Sequence, residues 1–423
     1  MRTSQAFSGH LDQAYGEVRT QFLNWTRLGF ADDRTPVLEE YFHSTRVGDT
    51  RRVGDASVLA DRRRPDANRT VLVLGSHDTH TLTQTDAAAS DQSELRGAGT
   101  GRLIGSTIAC LEGFKASPAA ADLSLMALSV GPGDEALDLI QRYGPSHPDV
   151  IVMTDAVSWS QDPPAITTGS RGRIEATITI TAGSPVNDTA YAGASLNPLN
   201  RLVEVIADLR DQRGRISLPG FYDRAHRPDR SSLAGLVDAT WPERLGVGAP
   251  TGTISPIERA TQWPVVNLLG IDSAGPNGST PGSATARLAI YLVADQRPVE
   301  VERALRTWLT QAVPAPLTSA LRVDSSARPY RSDVEGPAGI AQRRAVERVT
   351  GTDPVLVPGG GAIGAGEIHF TTGVPVLFAG IIGPNQRWGT TAETLDMRLL
   401  DQGTAVASEL FVQLARTLPP RGE

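Results

Sequence analysis

The chain has 423 residues, 40% of them hydrophobic and 21% charged, with a formal charge of −7. These values suit a soluble chain of two or three domains and exclude a membrane span, because no apolar run approaches the roughly 20 residues a bilayer demands. Cationic charge is almost all arginine, dispersed among acidic residues, and Lys115 is the single lysine. No basic stripe for nucleic acid results.

Taken in order, residues from about Ser8 to Phe30 place Leu11, Tyr15, Val18, Phe22 and Trp25 at helical spacing and predict an amphipathic opening helix. The first residues lack an apolar signal core, and a cytoplasmic location is expected. Val47–Ala67 is Arg/Asp-rich and predicts one strand with an exposed turn. Thr70–Leu74 is apolar without alternation, as expected of a buried parallel strand. It ends in Gly75-Ser76-His77-Asp78-Thr79-His80, at the strand edge where open α/β sheets place ligands. A Gly-rich turn, Leu95-Arg96-Gly97-Ala98-Gly99-Thr100-Gly101-Arg102, precedes an apolar helix from about Leu103 to Phe114. The combination reads equally as an active-site floor or as a Gly-rich connection with surface histidines. Cys110 alone admits neither an internal disulfide nor a cysteine zinc site.

Strand Leu123–Ser129, the turn Val130-Gly131-Pro132-Gly133, a helix from about Asp134 to Tyr143 and strand Val150–Met153 follow, ending at Thr154-Asp155. Strands alternating with helices predict a largely parallel, doubly wound sheet. Near Gly169 the pattern changes. Arg173–Thr181 alternates strictly, a half-solvated strand; then come a helix at Pro198–Arg213, a polar connection over Ile216–Ile254, strands Val265–Ile271 and Ala284–Val293, a helix at Val299–Ala312 and a strand at Leu317–Val323. That order is ferredoxin-like. A helix at Ala338–Thr350, the loop Pro358-Gly359-Gly360-Gly361, strand Val374–Ala379 and a helix at Leu399–Leu418 complete the chain. The expected architecture is an α/β domain of residues 1–171 and 326–423 with an inserted α+β domain of residues 172–325.

Several stretches resemble one family. Ala192-Gly193-Ala194-Ser195-Leu196-Asn197-Pro198, Gly214-Arg215-Ile216-Ser217-Leu218-Pro219-Gly220-Phe221-Tyr222-Asp223 and Leu292-Val293-Ala294-Asp295-Gln296-Arg297-Pro298 are similar to the lid domain of the di-zinc exopeptidases and deacylases, the group of carnosinase-like dipeptidases, acetylornithine deacetylase and succinyl-diaminopimelate desuccinylase. The resemblance implies a zinc-exopeptidase-like α/β fold with an inserted ferredoxin-like lid and dimerisation domain. It also implies two zinc ions about 3.5–4 Å apart with a shared carboxylate and water, a glutamate base, and a lid histidine and arginine supporting the oxyanion.

Position by position the metal chemistry is depleted. The His-x-Asp motif falls on His77 and Asp78 without its spacer. The bridging aspartate falls at Thr100, the Glu-Glu pair at Asp134 and Glu135, and the next carboxylate ligand at Asp155. The lid histidine falls at Asn187, the lid arginine at Tyr291, and the last ligand within Trp388-Gly389-Thr390-Thr391-Ala392-Glu393, which has no histidine. The loop at Gly360, Gly361 and Ala362 is retained and would offer backbone N–H groups to a substrate carboxylate. A di-zinc pair is therefore not expected, and no cofactor is required, although His77, Glu135 and Asp155 form the set for a single zinc. Asp134 also reads as a helix N-cap and Glu135 as a first-turn carboxylate.

Three functions follow. The first is a cleft protein that binds or acts on a small peptide-like or amino-acid-derived ligand by metal-independent or single-metal chemistry (amide formation, hydrolysis or rearrangement in specialised biosynthesis), with Asp134 and Glu135 as catalytic carboxylates and Asn187 and Tyr291 beside the ligand. The second is a non-catalytic homologue serving assembly, as a homodimer through the lid or with a partner subunit. The third is a zinc-dependent amide hydrolase with His80 or His369 recruited as substituted ligands. Fold alone does not choose among them.

Overall fold

The computed structural model describes residues 35–45, 47–77, 94–96, 99–131, 134–183, 187–211, 215–225, 233, 236, 254–275, 279–390 and 392–420. The opening helix expected over Ser8–Phe30 and residue His80 lie outside the described residues. The principal strands are β1 (Asp49–Val53), β2 (Ser57–Arg62), β3 (Thr70–Ser76), β4 (Ser124–Val130), β5 (Val150–Met153), β6 (Gly172–Thr181), β7 (Val265–Ala274), β8 (Ser283–Leu292), β9 (Thr318–Ala327) and β10 (Val376–Phe378). The principal helices are α1 (Thr35–Thr45), α2 (Ser106–Ala116), α3 (Ala136–Tyr143), α4 (Pro198–Asp208), α5 (Pro298–Ala312), α6 (Pro337–Thr350), α7 (Ala365–Thr372) and α8 (Met397–Thr417).

The larger sheet has the order β1-β2-β4-β3-β5-β10. Strands β4, β3, β5 and β10 run parallel, while β2 pairs antiparallel with β4 and β1 with β2. Both faces of β3 are covered, which is why its sequence is apolar without interruption. Val71 and Val73 point into one core with α2, α6 and α8; Leu72 and Leu74 point into the other, with α3 and α7. Phe114 of α2 meets Phe411 of α8 edge-on at 5.0 Å, a favoured aromatic geometry. The only lysine, Lys115, pairs with the buried Glu112 at 2.9 Å.

The smaller sheet, β7-β8-β6-β9, is antiparallel throughout. Its strands, with α4 following β6 and α5 following β8, give the expected β-α-β-β-α-β order. Alternating burial along β6 sends Ile174, Ala176, Ile178 and Ile180 into a separate core with Leu202, Val205, Leu305 and Leu309 from the two helices.

Three local readings change. Val47–Ala67 holds the β1–β2 hairpin rather than one strand, the two paired over Asp49↔Asp61 to Val53↔Ser57. Arginine-rich β1 is an exposed edge, so it lacks the apolar signature of the strands inside. The helix expected to begin at Asp134 begins at Ala136, with Glu135 extended at its N-cap. The helix expected to run to Arg213 ends at Asp208.

Candidate active site

The parallel strands end at one edge. His77 follows β3, Asp134 and Glu135 follow β4, Asp155 follows β5, and Gly380 follows shortly after β10. Gly75, the penultimate residue of β3, admits no Cβ without a collision with Thr107 on α2. Thr107 shares a 2.7 Å hydrogen bond with Thr154 beside Asp155. The backbone thus closes tightly under this edge, the ligand position of open α/β sheets.

His77 is almost fully buried, and both ring nitrogens have partners. Nε2 lies 3.0 Å from the Ala56 carbonyl oxygen and Nδ1 lies 2.9 Å from the Ser129 hydroxyl. A carbonyl only accepts, so Nε2 carries the proton, and Nδ1 shares its hydrogen bond with the Ser129 hydroxyl. A metal ligand needs an uncommitted nitrogen lone pair, and this arrangement presents none.

Asp134 is committed in the same way. Its carboxylate accepts from Asp55 N–H at 2.9 Å, Ala56 N–H at 2.9 Å and the Ser57 hydroxyl at 2.7 Å. Burial pushes this carboxyl up, but the hydrogen bonds from Asp55, Ala56 and Ser57 outweigh it and hold the group below the usual carboxylate range. Ser57 Oγ in turn accepts from Gly131 N–H at 2.9 Å. Asp134 and His77 therefore clamp the β1–β2 turn onto the site edge, where the sequence suggested a base, a helix cap and a ligand. Glu135 is exposed and makes no side-chain cap.

Asp155 faces a cation of the protein's own. Arg102 Nε lies 3.5 Å from Asp155 Oδ1, an ion pair without hydrogen-bond geometry. The same guanidinium lies 5.6 Å from the Trp388 ring centroid, within cation–π range. Burial pushes the Asp155 carboxyl up and Arg102 pulls it down, with burial prevailing.

Arg102 reaches Asp155 from a π-helical turn, Thr100–Gly105, entered through Gly99 at φ 73°. The turn is fixed from beneath by Glu393, fully buried, whose carboxylate accepts from Gly101 N–H and Arg102 N–H at 2.9 Å and from Gly389 N–H at 3.1 Å. Thr100, where the resemblance implies the bridging carboxylate, is buried, and its hydroxyl has no partner among the described residues. Arg102 and Glu393 are the residues sequence reasoning passed over. Both stood in the quoted motifs, but only their contacts give them a role.

Among the described residues, no group of three His, Cys, Asp or Glu side chains converges as a metal site. At the positions the resemblance implies for a di-zinc set, Thr100 presents a hydroxyl, both His77 nitrogens have protein partners, and a guanidinium lies against Asp155. Cys110 is buried, with its thiol pushed up to about 12, which leaves no thiolate at neutral pH. His369 is remote in role, its Nδ1 2.8 Å from Val374 O and its ring 4.9 Å from Tyr330.

The Gly-rich loop is also more committed than expected. Gly361 N–H donates to Gly169 O at 3.0 Å and Gly359 N–H to Val357 O at 2.9 Å, while Trp159 Nε1 donates to Gly359 O at 2.7 Å. A Cβ on Gly360 would meet the Trp159 indole and one on Gly361 would collide with Phe378, so glycine serves close packing here. Neighbouring Ala362 is partly buried and packs against the core beneath. Tyr291, across from Arg173 in the small sheet, receives the guanidiniums of Arg171 at 4.3 Å and Arg173 at 5.7 Å. Asn187 pairs through its backbone with Thr280, and its side chain lies outside the described residues.

No family model matches the chain. A β-Ala-His dipeptidase of Rattus norvegicus is 26% identical over 242 residues, which is 52% of this chain and 48% of the relative. A probable di- and tripeptidase, DUG2, of Saccharomyces cerevisiae is 23% identical over 51% of this chain and 25% of its own length. The matches span about half, or less, of the length of these curated relatives. Among solved structures, the dipeptidase Dug1p of Saccharomyces cerevisiae superposes with a TM-score of 0.75 at 15% identity over 97% of this chain and 99% of that one. Human carnosine dipeptidase 1 gives 0.72 at 16% over 97% and 98%. An M20 family metallo-carboxypeptidase of Sulfolobus solfataricus gives 0.73 at 18% over 90% and 94%. The chain shares the fold of these peptidases, an α/β sheet with a second, ferredoxin-like sheet, and its sequence matches make it a homologue of the carnosinase-type exopeptidases.

Proposed function

We propose that this homologue has a dismantled di-zinc centre and binds a small peptide-like or amino-acid-derived ligand at the carboxyl ends of the large sheet, with any chemistry there independent of a metal pair. The observation that carries the reading is the Arg102–Asp155 contact. A fixed guanidinium supplies the positive charge beside the aspartate, and it would repel a divalent cation brought to the same carboxylate. His77 and Asp134 support the reading, since both are consumed in holding the β1–β2 turn.

The test is metal content per chain by plasma mass spectrometry, on protein purified without chelator and then incubated with zinc. The expected result is no stoichiometric zinc, unchanged in His77→Ala. One or two tightly held zinc ions per chain, lost in His77→Ala, would overturn the proposal and restore a hydrolase of the family type.

A second reading, self-assembly, is favoured by one observation. Strand β7 is an edge of the small sheet and exposes Leu268 (40%), Leu269 (45%) and Ile271 (39%). An uncovered apolar edge strand is a template for pairing with another chain; a second copy of this chain is its simplest occupant.

A further inference from the structure

We infer that Arg171, backed by Tyr291, is a carboxylate-binding residue at the junction of the two sheets. This rests on the ligand reading above and names the group by which the ligand is held.

Arg171 lies in the connection between the short strand Gly169–Ser170 and β6. It is half-buried, with its guanidinium 4.3 Å from the Tyr291 ring centroid. Among the described residues, no carboxylate pairs with it. Arg173 sits on the same sheet face, 5.7 Å from the same ring. Glu175, two residues on, forms an ion pair with Arg173. Two guanidiniums therefore meet one carboxylate and one aromatic face, and one positive charge is left over.

The ring does not complete the site. An aromatic face attracts a cation but accepts none of arginine's five N–H donors in the way an oxygen does. Among the described residues no acceptor meets these donors, and burial opposes the charge, lowering the Arg171 pKa against the pull of Tyr291. Neighbouring Arg173 Nε is buried without an acceptor. A planar anion with two acceptor oxygens fits the arginine fork, and a surplus of one charge matches a carboxylate.

The location suits a ligand at the sheet edge. Gly169, two residues before Arg171, accepts the Gly361 N–H. Gly361 bridges Ala156, the neighbour of Asp155. Two extended residues span about 7 Å, so the Arg171 backbone stands close beside the Gly-rich loop that borders the Arg102–Asp155 pair.

The experiment is a saturation-transfer NMR titration of the full chain at fixed ionic strength. The probes are N-acetylglycine, N-acetylglycinamide and inorganic phosphate. N-acetylglycine is expected to bind saturably, the amide not to bind, and R171Q to weaken N-acetylglycine by about tenfold, the scale of a charged hydrogen bond. Equal affinity in R171Q, no saturable binding of N-acetylglycine, or phosphate binding as tightly as the carboxylate would each overturn the assignment. If R171Q does not fold, R171K serves instead: it keeps the charge but not the fork, and unchanged affinity there would also overturn it. Zinc content is a separate readout, so a metal-bound chain would refute the function proposed above while leaving the Arg171 result to stand or fall alone.

Discussion

Replacing Asp134 by alanine separates a structural carboxylate from a catalytic one. The carboxylate accepts from two backbone N–H groups and one hydroxyl at 2.7–2.9 Å, and hydrogen bonds to a charged group contribute about 1.5–3 kcal/mol each when well buried. Asp134 is only partly buried, and Asp55 N–H can turn to water, so the sum is discounted for solvent screening to about 2–4 kcal/mol. The pH dependence has a definite sign. The folded carboxyl lies below its ordinary 3.8, so its contribution is fully present above that value and disappears as pH falls through the lowered folded one. Urea unfolding followed by tryptophan fluorescence, at neutral pH and then in acid, measures both. Asp134→Ala should lose about 2–4 kcal/mol at neutral pH and differ little from the parent in strong acid. Asp134→Asn should fall between, because one amide oxygen still accepts. A variant as stable as the parent at neutral pH would refute the clamp and return Asp134 to the list of candidate bases.

Two further outcomes are expected. Glu393→Ala leaves the Gly101, Arg102 and Gly389 N–H groups without their acceptor and should cost about 2–4 kcal/mol. Because burial raises the Glu393 carboxyl above 4.5 against the pull of those N–H groups, its contribution is complete in acid and declines as pH rises through the folded value; the gap between parent and variant, read by the same unfolding assay, should be widest in acid. Size-exclusion chromatography with light scattering should find a dimer that dissociates when Leu269 is replaced by Asp, whereas a parent protein that elutes as a monomer would remove the edge-pairing reading.

Much of the fold was legible from local pattern. Continuous apolar runs marked β3 and β5 because those strands are covered on both faces, and strict alternation marked β6 because one face is solvated. Three principal elements escaped, the helix α1 over Thr35–Thr45 among them. β1 is an arginine-rich edge whose pairing with β2 is fixed by Asp134, a residue 81 positions beyond Val53 in the chain. The helix α7 spans only eight residues, Ala365–Thr372, and shows little amphipathic signal.

At the site, the sequence determined which groups are present: a threonine where the resemblance implies a bridging carboxylate, no histidine near Trp388, and two histidines, His77 and His80, after β3. Those identities fix the available charges and lone pairs. They do not fix commitments. Whether His77 has a nitrogen to spare, whether Asp134 faces a ligand or a β-turn, and where Arg102 and Arg171 point depend on partners 21 to 120 residues away in sequence. Side chains of this kind are decided by the nearest complementary group once the sheets have closed. Hydrogen bonds and ion pairs act over a few ångströms, and only the tertiary structure sets which groups come within that range.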